Sequence, residues 1–230
     1  CIRDSSEAHH YAKEVATGHL PFLLTSCCPS WSVMAKKYFP AMIDNISQEL
    51  TPMVATARIV KKEHPHAKVV FIGPCASKKL EAMRHSVRSD VDFVITFEEI
   101  WGMFDAKDII PSACEDIPEE TQAATAAGRG YAIAGGVAGA IENCLKEYYP
   151  DVPVHIEHAE SLAECKKVLT LAKAGKIKNC MIEGMACPGG CIGGAGTNAG
   201  FAKTSKALKK YVDSSEPKLP SQELENLELN

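Results

Sequence analysis

Residues 183–194 have the sequence EGMACPGGCIGG, in which two cysteines lie four positions apart. Glycine is so frequent around Cys187 and Cys191 that a regular helix or strand is not expected there. A loop of this composition presents backbone N–H groups in a concave nest and lets the main chain approach a bulky ligand. We therefore expect a large, electron-rich group beside the two thiols.

Two further segments supply thiols of the same kind, TSCCPSW at residues 25–31 and GPCASKKLE at residues 73–81. Cys28 precedes a helix that Pro29 predicts, and Cys75 lies between an apolar strand and a helical pattern. The helix dipole at such a position favours the thiolate over the thiol. Four thiolates from three separate loops are the ligand set of a cubane iron–sulfur cluster.

Zinc is the alternative metal, since four cysteines are also a common zinc ligand set. Zinc ligands usually come in closely spaced pairs on both sides of the site, whereas only Cys187 and Cys191 are spaced in that way here. The thiols of Cys144, Cys165 and Cys180 lie on helical or strand patterns. We interpret these three as buried structural thiols.

The composition indicates a globular chain with reduced thiols. Its 230 residues are 46% hydrophobic and 23% charged, with a formal charge of -4 and ten cysteines. That cysteine content is well below the roughly 8–10% of a disulfide scaffold, which favours a cytoplasmic location. The mild negative charge gives no basic footprint for nucleic acid, and no run of about 18 apolar residues predicts a membrane span.

Apolar strands alternate with helical patterns along the chain, which predicts an α/β fold with mixed or parallel sheets flanked by helices. Irregular residues 105–118 suggest a boundary between two lobes, 1–110 and 119–214, followed by a polar tail at 215–230. We expect the metal cluster in the cleft between the lobes. The predicted strands are Leu20–Leu24, Lys68–Ile72, Asp92–Thr96, Gly130–Ala134, Val154–Glu157 and Asn179–Ile182. The predicted helices are Ser5–Thr17, Pro29–Tyr38, Thr51–Glu63, Ser77–Arg84, Phe97–Phe104, Gly136–Tyr148, Glu160–Ala174 and Lys203–Val212.

Segments 25–31, 73–81 and 183–194 resemble, in the same order, the three signature motifs of the [FeFe]-hydrogenase catalytic domain. Residues 90–96 and 131–137 also resemble segments of that family, so the resemblance covers most of the chain. It implies the H-cluster, a [4Fe-4S] cubane joined through one cysteine sulfur to a diiron subsite that carries CO, cyanide and a bridging dithiolate amine.

The resemblance also implies which residues hold this cofactor and what it does. By motif position Cys28, Cys75, Cys187 and Cys191 would hold the cubane, and Cys191 would bridge to the diiron subsite. The implied reaction is 2 H⁺ + 2 e⁻ ⇌ H2, with ferredoxin-like electron partners and with maturation proteins that supply the diiron subsite. The chemistry belongs to the cofactor, and the protein supplies orientation and charge.

Other motif residues acquire roles from the same resemblance, each with a simpler alternative. Cys27 would relay a proton to the cofactor amine, and its alternative is core packing. Lys78 would hold a cyanide ligand through a charge-assisted hydrogen bond, and its alternative is a solvated helical lysine. Met185 would place a soft thioether against the cluster, and its alternative is core filling. Pro74 would line the same pocket.

A proton route to solvent is implied through Ser47 and Glu7, each twenty residues from Cys27 in sequence. The alternative for Glu7 is an exposed helical glutamate, which is common. Residue 10 is His10, where the family places a second relay carboxylate.

Three departures from the family pattern would retune the pocket of the diiron subsite. Gly73 replaces a methionine, Met53 replaces a glutamine and Leu24 replaces a phenylalanine. The chain has no ferredoxin-type cysteine run for electron transfer and begins inside the family's catalytic domain. Two explanations therefore remain: the chain is partial, or its N-terminal part is supplied separately. The substituted positions indicate a divergent or sensory subgroup.

Two other functions remain beside the enzyme. In a hydrogen or redox sensor the same cluster would signal to a partner domain, and Met53 and Gly73 leave room for this role. The related iron–sulfur assembly factors carry a cubane without a diiron subsite. Retention of Cys27, Lys78 and Met185 argues against the assembly role.

Overall fold

The computed structural model describes residues 2–115 and 124–215, which form parallel sheets flanked by helices. The α/β fold class predicted from the sequence is thereby confirmed. The strands of these residues are β1 Phe22–Leu24, β2 Val70–Gly73, β3 Phe93–Thr96, β4 Ile156–Glu160 and β5 Cys180–Met185. The α-helices are α1 Ile2–Glu14, α2 Pro29–Tyr38, α3 Pro52–Glu63, α4 Ser77–Ala82, α5 Phe97–Asp105, α6 Ala126–Arg129, α7 Gly136–Tyr148, α8 Ser161–Lys173 and α9 Phe201–Asp213. None of these helices combines the length and the apolar character needed to cross a membrane.

The larger sheet has the order β1-β5-β4, and both of its pairings are parallel. Every residue of β5 is buried, as expected for a central strand covered on both faces. Helices α2 and α8 pack on one face around Trp31 and Leu169, and helices α1 and α7 pack on the other around Tyr11 and Ile141. The carboxyl end of β5 leads directly into the loop that carries Cys187 and Cys191.

The smaller sheet pairs β2 with β3 in parallel, with Gly73 opposite Thr96. Helix α3 covers this region through Val54 and Ala57, which pack with Val87 and Val91. The carboxyl end of β2 leads into Pro74 and Cys75. Both sheets therefore deliver cysteine-bearing loops from the carboxyl ends of their strands, the usual position of ligand sites in open α/β sheets.

The strand predicted at Gly130–Ala134 is wrong. Helix α6 is followed by a 3-10 turn at Gly130–Ala132, and the N–H of Ala134 donates to the carbonyl of Gly189 at 3.2 Å. The small residues of this segment allow its backbone to lie close to the cysteine loop. A Cβ on Gly190, whose φ is +89°, would overlap the backbone nitrogen of Ala134.

The two sheets do not divide the chain into the expected lobes 1–110 and 119–214. Strand β1 precedes the irregular segment yet pairs with β5, which follows it, and α1 packs on α7. The larger sheet therefore takes strands from both sides of residues 105–118. Residues 216–230 of the predicted polar tail lie outside the described residues.

Candidate metal centre

The first cysteine pair follows β1 and faces two different cores. Cys28 precedes the first turn of α2 and contacts the core around Trp31, whereas Cys27 is buried in the core that contains Met185 and Cys191. The indole N–H of Trp31 donates to the carbonyl of Thr25 at 2.9 Å, which fixes the turn between strand and helix. The side chains of these adjacent cysteines therefore pack against different cores.

Hydrogen bonds join the Cys75 loop to the other two cysteine-bearing loops. The hydroxyl groups of Ser30 and Ser77, each two residues after a cysteine, lie 2.5 Å apart. The carbonyl of Pro74 accepts the N–H of Gly196 at 3.0 Å. These contacts bring Cys75 beside the segments that carry Cys28 and Cys191.

The 187–194 loop is held by turns that need glycine. The N–H of Gly190 donates to the carbonyl of Cys187 at 3.0 Å, and that of Gly194 donates to the carbonyl of Cys191 at 2.9 Å. Gly189 and Gly190 have φ values of +76° and +89°, a region that side-chain-bearing residues rarely adopt. The loop therefore turns sharply between and after its two cysteines.

The four candidate ligand thiols lie within electrostatic range of one another. The pKa of Cys191 is raised to about 12, chiefly by burial and to a smaller extent by the charges of Cys28, Cys75 and Cys187, while Lys78 lowers it. Burial also raises the pKa of Cys187, with smaller contributions from Cys28 and Cys75. A coordinated metal supplies the positive charge that deprotonates such thiols.

The chemistry of the four thiol donors, and not their spacing, fits an iron–sulfur cluster. All four thiols are partly accessible, and they come from three loops that hydrogen bonds connect to one another. Across residues 2–115 and 124–215, no three His, Cys, Asp or Glu side chains are grouped so that they could hold a metal ion. Thiolates spread over three loops are the donors of a [4Fe-4S] cubane. The backbone of Gly194 lies so close to the Cys75 loop that a Cβ on Gly194 would overlap the carbonyl oxygen of Pro74.

Cys27 is a buried thiol beside the candidate ligands but not among them. It packs with Val137, Met181, Met185 and Cys191. Burial raises its pKa to about 12, a nearby Arg3 lowers it, and Glu183 raises it. The thiol thus packs in the same core as Cys191, whereas Cys28 packs against the core around Trp31.

Lys78 is buried on α4 and is not the solvated lysine of the alternative interpretation. Its Nζ donates to a carboxylate oxygen of Glu81 at 2.6 Å and to the carbonyl of Cys27 at 3.3 Å. The ammonium group therefore lies between the first and second cysteine segments. Its charge is also close enough to lower the pKa of Cys191.

The two predicted relay residues are both buried. Glu7 is fully buried on α1, where it forms an ion pair with Arg3, so an exposed helical glutamate is the wrong description. The hydroxyl of Ser47 accepts the N–H of Glu49 at 3.2 Å, while its own N–H donates to Leu24. Their roles in a proton route stay predictions.

The three departures from the family pattern lie in different surroundings. Gly73 is buried at the end of β2, where the Phe71 ring fills the space that a Cβ would take. Met53 is buried in the core of α3 beside Val87, and Leu24 in the core around Trp31. Met185 is buried next to Cys27, at the base of the cysteine loop.

Sequence patterns missed three polar residues next to this loop. Glu160, at the end of β4, accepts the N–H of Gly189 at 2.7 Å. Glu183 is a carboxylate inside a fully buried strand and lies 3.0 Å from Nδ1 of His158. A charged residue within the otherwise uncharged strand β5 was the available signal for Glu183.

The chain is similar both to hydrogenases and to iron–sulfur assembly components. The chain is 31% identical over 216 residues to the NADP-reducing hydrogenase subunit HndD of Solidesulfovibrio fructosivorans, covering 76% of this chain and 36% of the relative. It is 25% identical over 238 residues to the cytosolic iron-sulfur assembly component 3 of Bos taurus, covering 83% of this chain and 50% of the relative. The chain thus spans half or less of the length of these two curated relatives.

A solved variant of [FeFe]-hydrogenase HydA1 from Chlamydomonas reinhardtii has the same fold, with a TM-score of 0.73 and 21% identity over 96% of this chain and 74% of that one. The sequence model described as "Iron only hydrogenase large subunit, C-terminal domain" matches residues 4–195. The chain therefore belongs to the iron-only hydrogenase large-subunit family, through its C-terminal domain.

Proposed function

We propose that the chain is the catalytic domain of an iron hydrogenase that interconverts protons, electrons and H2. The proposal is supported by one observation: the charges of Cys28, Cys75 and Cys187, which come from three loops, act on the Cys191 thiol, and a fifth thiol, Cys27, packs in the same core as Cys191. Four ligands and a separate proton-carrying thiol are what this reaction requires. Cys28, Cys75, Cys187 and Cys191 would hold a [4Fe-4S] cluster.

The diiron subsite would be attached through Cys191 and, when bound, would supply the heterolytic splitting of H2 and its reversal. Lys78 places a buried positive charge beside this position, which suits an anionic cyanide ligand. Met185 and Pro74 border the same space. Cys27 would carry the proton between this space and the interior, and Glu7 and Ser47 are the proposed route outward.

Electrons would be exchanged with a ferredoxin-like partner through the cubane, and maturation proteins would deliver the diiron subsite. A cytoplasmic location is part of the same proposal. The substituted positions Met53 and Gly73 indicate a divergent member, which also suits a sensory role.

A second candidate function is iron–sulfur cluster assembly. The chain is similar to the bovine assembly component over 83% of its length, which favours the assembly function. In that case Cys28, Cys75, Cys187 and Cys191 would still hold a cubane, but no diiron subsite would be attached. The buried positions of Cys27 and Lys78 beside Cys191 would then have only a packing role.

Substitution of Cys27 tests the enzymatic proposal. In anaerobically matured protein we expect Cys27→Ala to abolish H2 evolution from a reduced electron donor while the cofactor stays bound. Cys144→Ala is the matched control, because Cys144 is another buried thiol on the same side of the sheet but lies on α7. H2 evolution in Cys27→Ala equal to that of the wild type would remove Cys27 from the proton path.

A further inference from the structure

A cavity of about 440 Å³ lies at the carboxyl end of β4, next to the cysteine loop. His158, Glu160, Glu164, Glu183 and Met185 contribute to its walls. Glu160 is already bonded to Gly189, and Glu164 accepts the N–H of Glu160 at 3.2 Å. His158 and Glu183 remain as a pair that joins this cavity to the interior.

The pair spans the boundary between solvent and core. Nδ1 of His158 lies 3.0 Å from Oε2 of Glu183, and their side chains are 51% and 1% exposed, respectively. The other carboxylate oxygen of Glu183 accepts the N–H of Val137 at 3.2 Å. One end of the pair therefore faces the cavity and solvent, and the other end is fixed at the start of α7.

The buried end of the pair adjoins the surroundings of Cys27. Val137, whose N–H is bonded to Glu183, packs in the same core as Cys27 and Met185. The charge of Glu183 is close enough to act on the Cys27 thiol. Glu183 is thus hydrogen-bonded to a solvent-accessible imidazole and acts through its charge on the proposed proton-carrying thiol.

We propose that His158 and Glu183 form a proton entrance to the Cys27 pocket, separate from the route through Glu7 and Ser47. This inference rests on the proposed hydrogenase function. Nε2 of His158 accepts a proton from hydronium, which leaves water, and Nδ1 passes its own proton to Oε2 of Glu183. A neutral imidazole and a neutral carboxyl group result, and the carboxyl group hands its proton onward to the pocket.

The charges around His158 suit this task. Glu183 on β5, Glu157 on β4 and Glu142 on α7 are the carboxylates that act on the imidazole, and the hydrogen bond from Glu183 is the largest influence. Together they raise the pKa of His158 above its ordinary value despite partial burial. The imidazole therefore takes up a proton from solvent more readily than an isolated histidine does.

Hydrogen–deuterium exchange at the Cys27 thiol tests the entrance without any turnover. Infrared difference spectra after mixing the full chain with D2O report the S–H band, which is assigned to Cys27 by its loss in Cys27→Ala. We expect His158→Ala to slow this exchange on the order of tenfold or more, and added imidazole to restore it through the enlarged cavity. Glu183→Gln should slow the exchange as well.

His155→Ala is the matched control because His155 forms an exposed pair with Glu157, at 3.1 Å, just before the same strand. It should leave the exchange rate unchanged. An exchange rate in His158→Ala equal to that of the wild type would overturn the proposal. Slow exchange that imidazole does not restore would also overturn it, since that result indicates a structural effect.

The exchange test and the hydrogenase proposal fail separately. Slowed and rescued exchange in a chain that never binds a diiron subsite keeps the entrance and rejects the enzyme. Unchanged exchange in a chain that evolves H2 keeps the enzyme and rejects the entrance.

Discussion

The Nζ of Lys78 donates a hydrogen bond to the carbonyl oxygen of Cys27, 3.3 Å away, although the two residues are 51 positions apart in sequence. The contact joins the segment of Cys27 and Cys28 to helix α4, which follows Cys75. Glu81 completes the arrangement by accepting from the same ammonium group at 2.6 Å. The buried charge is thus held in place by groups that take no part in metal binding.

Removing the carboxylate of the Lys78–Glu81 pair should destabilise the fold. Glu81→Gln leaves the Lys78 ammonium buried without its counter-charge, and we expect the free energy of unfolding to fall by about 3 kcal/mol. Glu99→Gln is the matched control, since Glu99 forms an exposed pair with Lys79 and should lower the free energy of unfolding far less than Glu81→Gln does. Urea unfolding of the metal-free chain measures both values. Equal losses in the two variants would contradict the buried role of Lys78.

Cys191→Ser should prevent formation of a complete cubane. After anaerobic reconstitution we expect the wild type to hold about four iron ions per chain, and the variant to hold fewer and to lose them to a chelator. Cys114→Ser is the control, because Cys114 is exposed and distant from the three loops in sequence. Iron analysis with the visible absorption spectrum measures the outcome. Full iron content in Cys191→Ser would remove Cys191 from the ligand set.

Glu160 should act as an anchor of the cysteine loop. Glu160→Ala removes the acceptor of the Gly189 N–H, a bond to a charged group that contributes about 1.5–3 kcal/mol. We expect reconstituted protein to release iron to a chelator about tenfold faster. Glu157→Ala, on the same strand but paired with the exposed His155, should release iron at the wild-type rate. The anchor is refuted if both variants behave alike.

The pair of His158 and Glu183 predicts a pH dependence of stability. The folded-state pKa of His158 is raised above 6.5, chiefly by the hydrogen bond with Glu183. The stabilisation is therefore complete below about pH 6.5 and is lost as the pH rises through the folded-state value. Comparison of wild type with His158→Gln in urea, from acidic to alkaline pH, should show the stability difference shrinking over that window. A stability difference that grows with pH would contradict the raised pKa of His158 in the folded state.

Local signals in the sequence predicted most of the fold. Pro29 and Pro52 mark the first turns of α2 and α3, and the apolar strands β1, β2, β3 and β5 were found within a few residues of their ends. Residues 130–134 were mistaken for a strand because their partner is the loop at Gly189, which is remote in sequence. A local pattern carries no information about such a contact.

The candidate site was predicted unevenly for the same reason. The cysteines are visible because their spacing and their glycine neighbours are local features. The pairing of His158 with Glu183 joins adjacent strands 25 residues apart, and the burial of Glu7 depends on packing of α1 against α7. These relationships arise only when the chain is folded.

The central claim, a diiron subsite attached beside a cubane, is tested most directly by infrared spectroscopy of the anaerobically matured protein. We predict stretching bands of CO and of cyanide, and their loss in Cys191→Ser. A protein that holds about four iron ions per chain but shows neither band would contradict the hydrogenase proposal and support the assembly role.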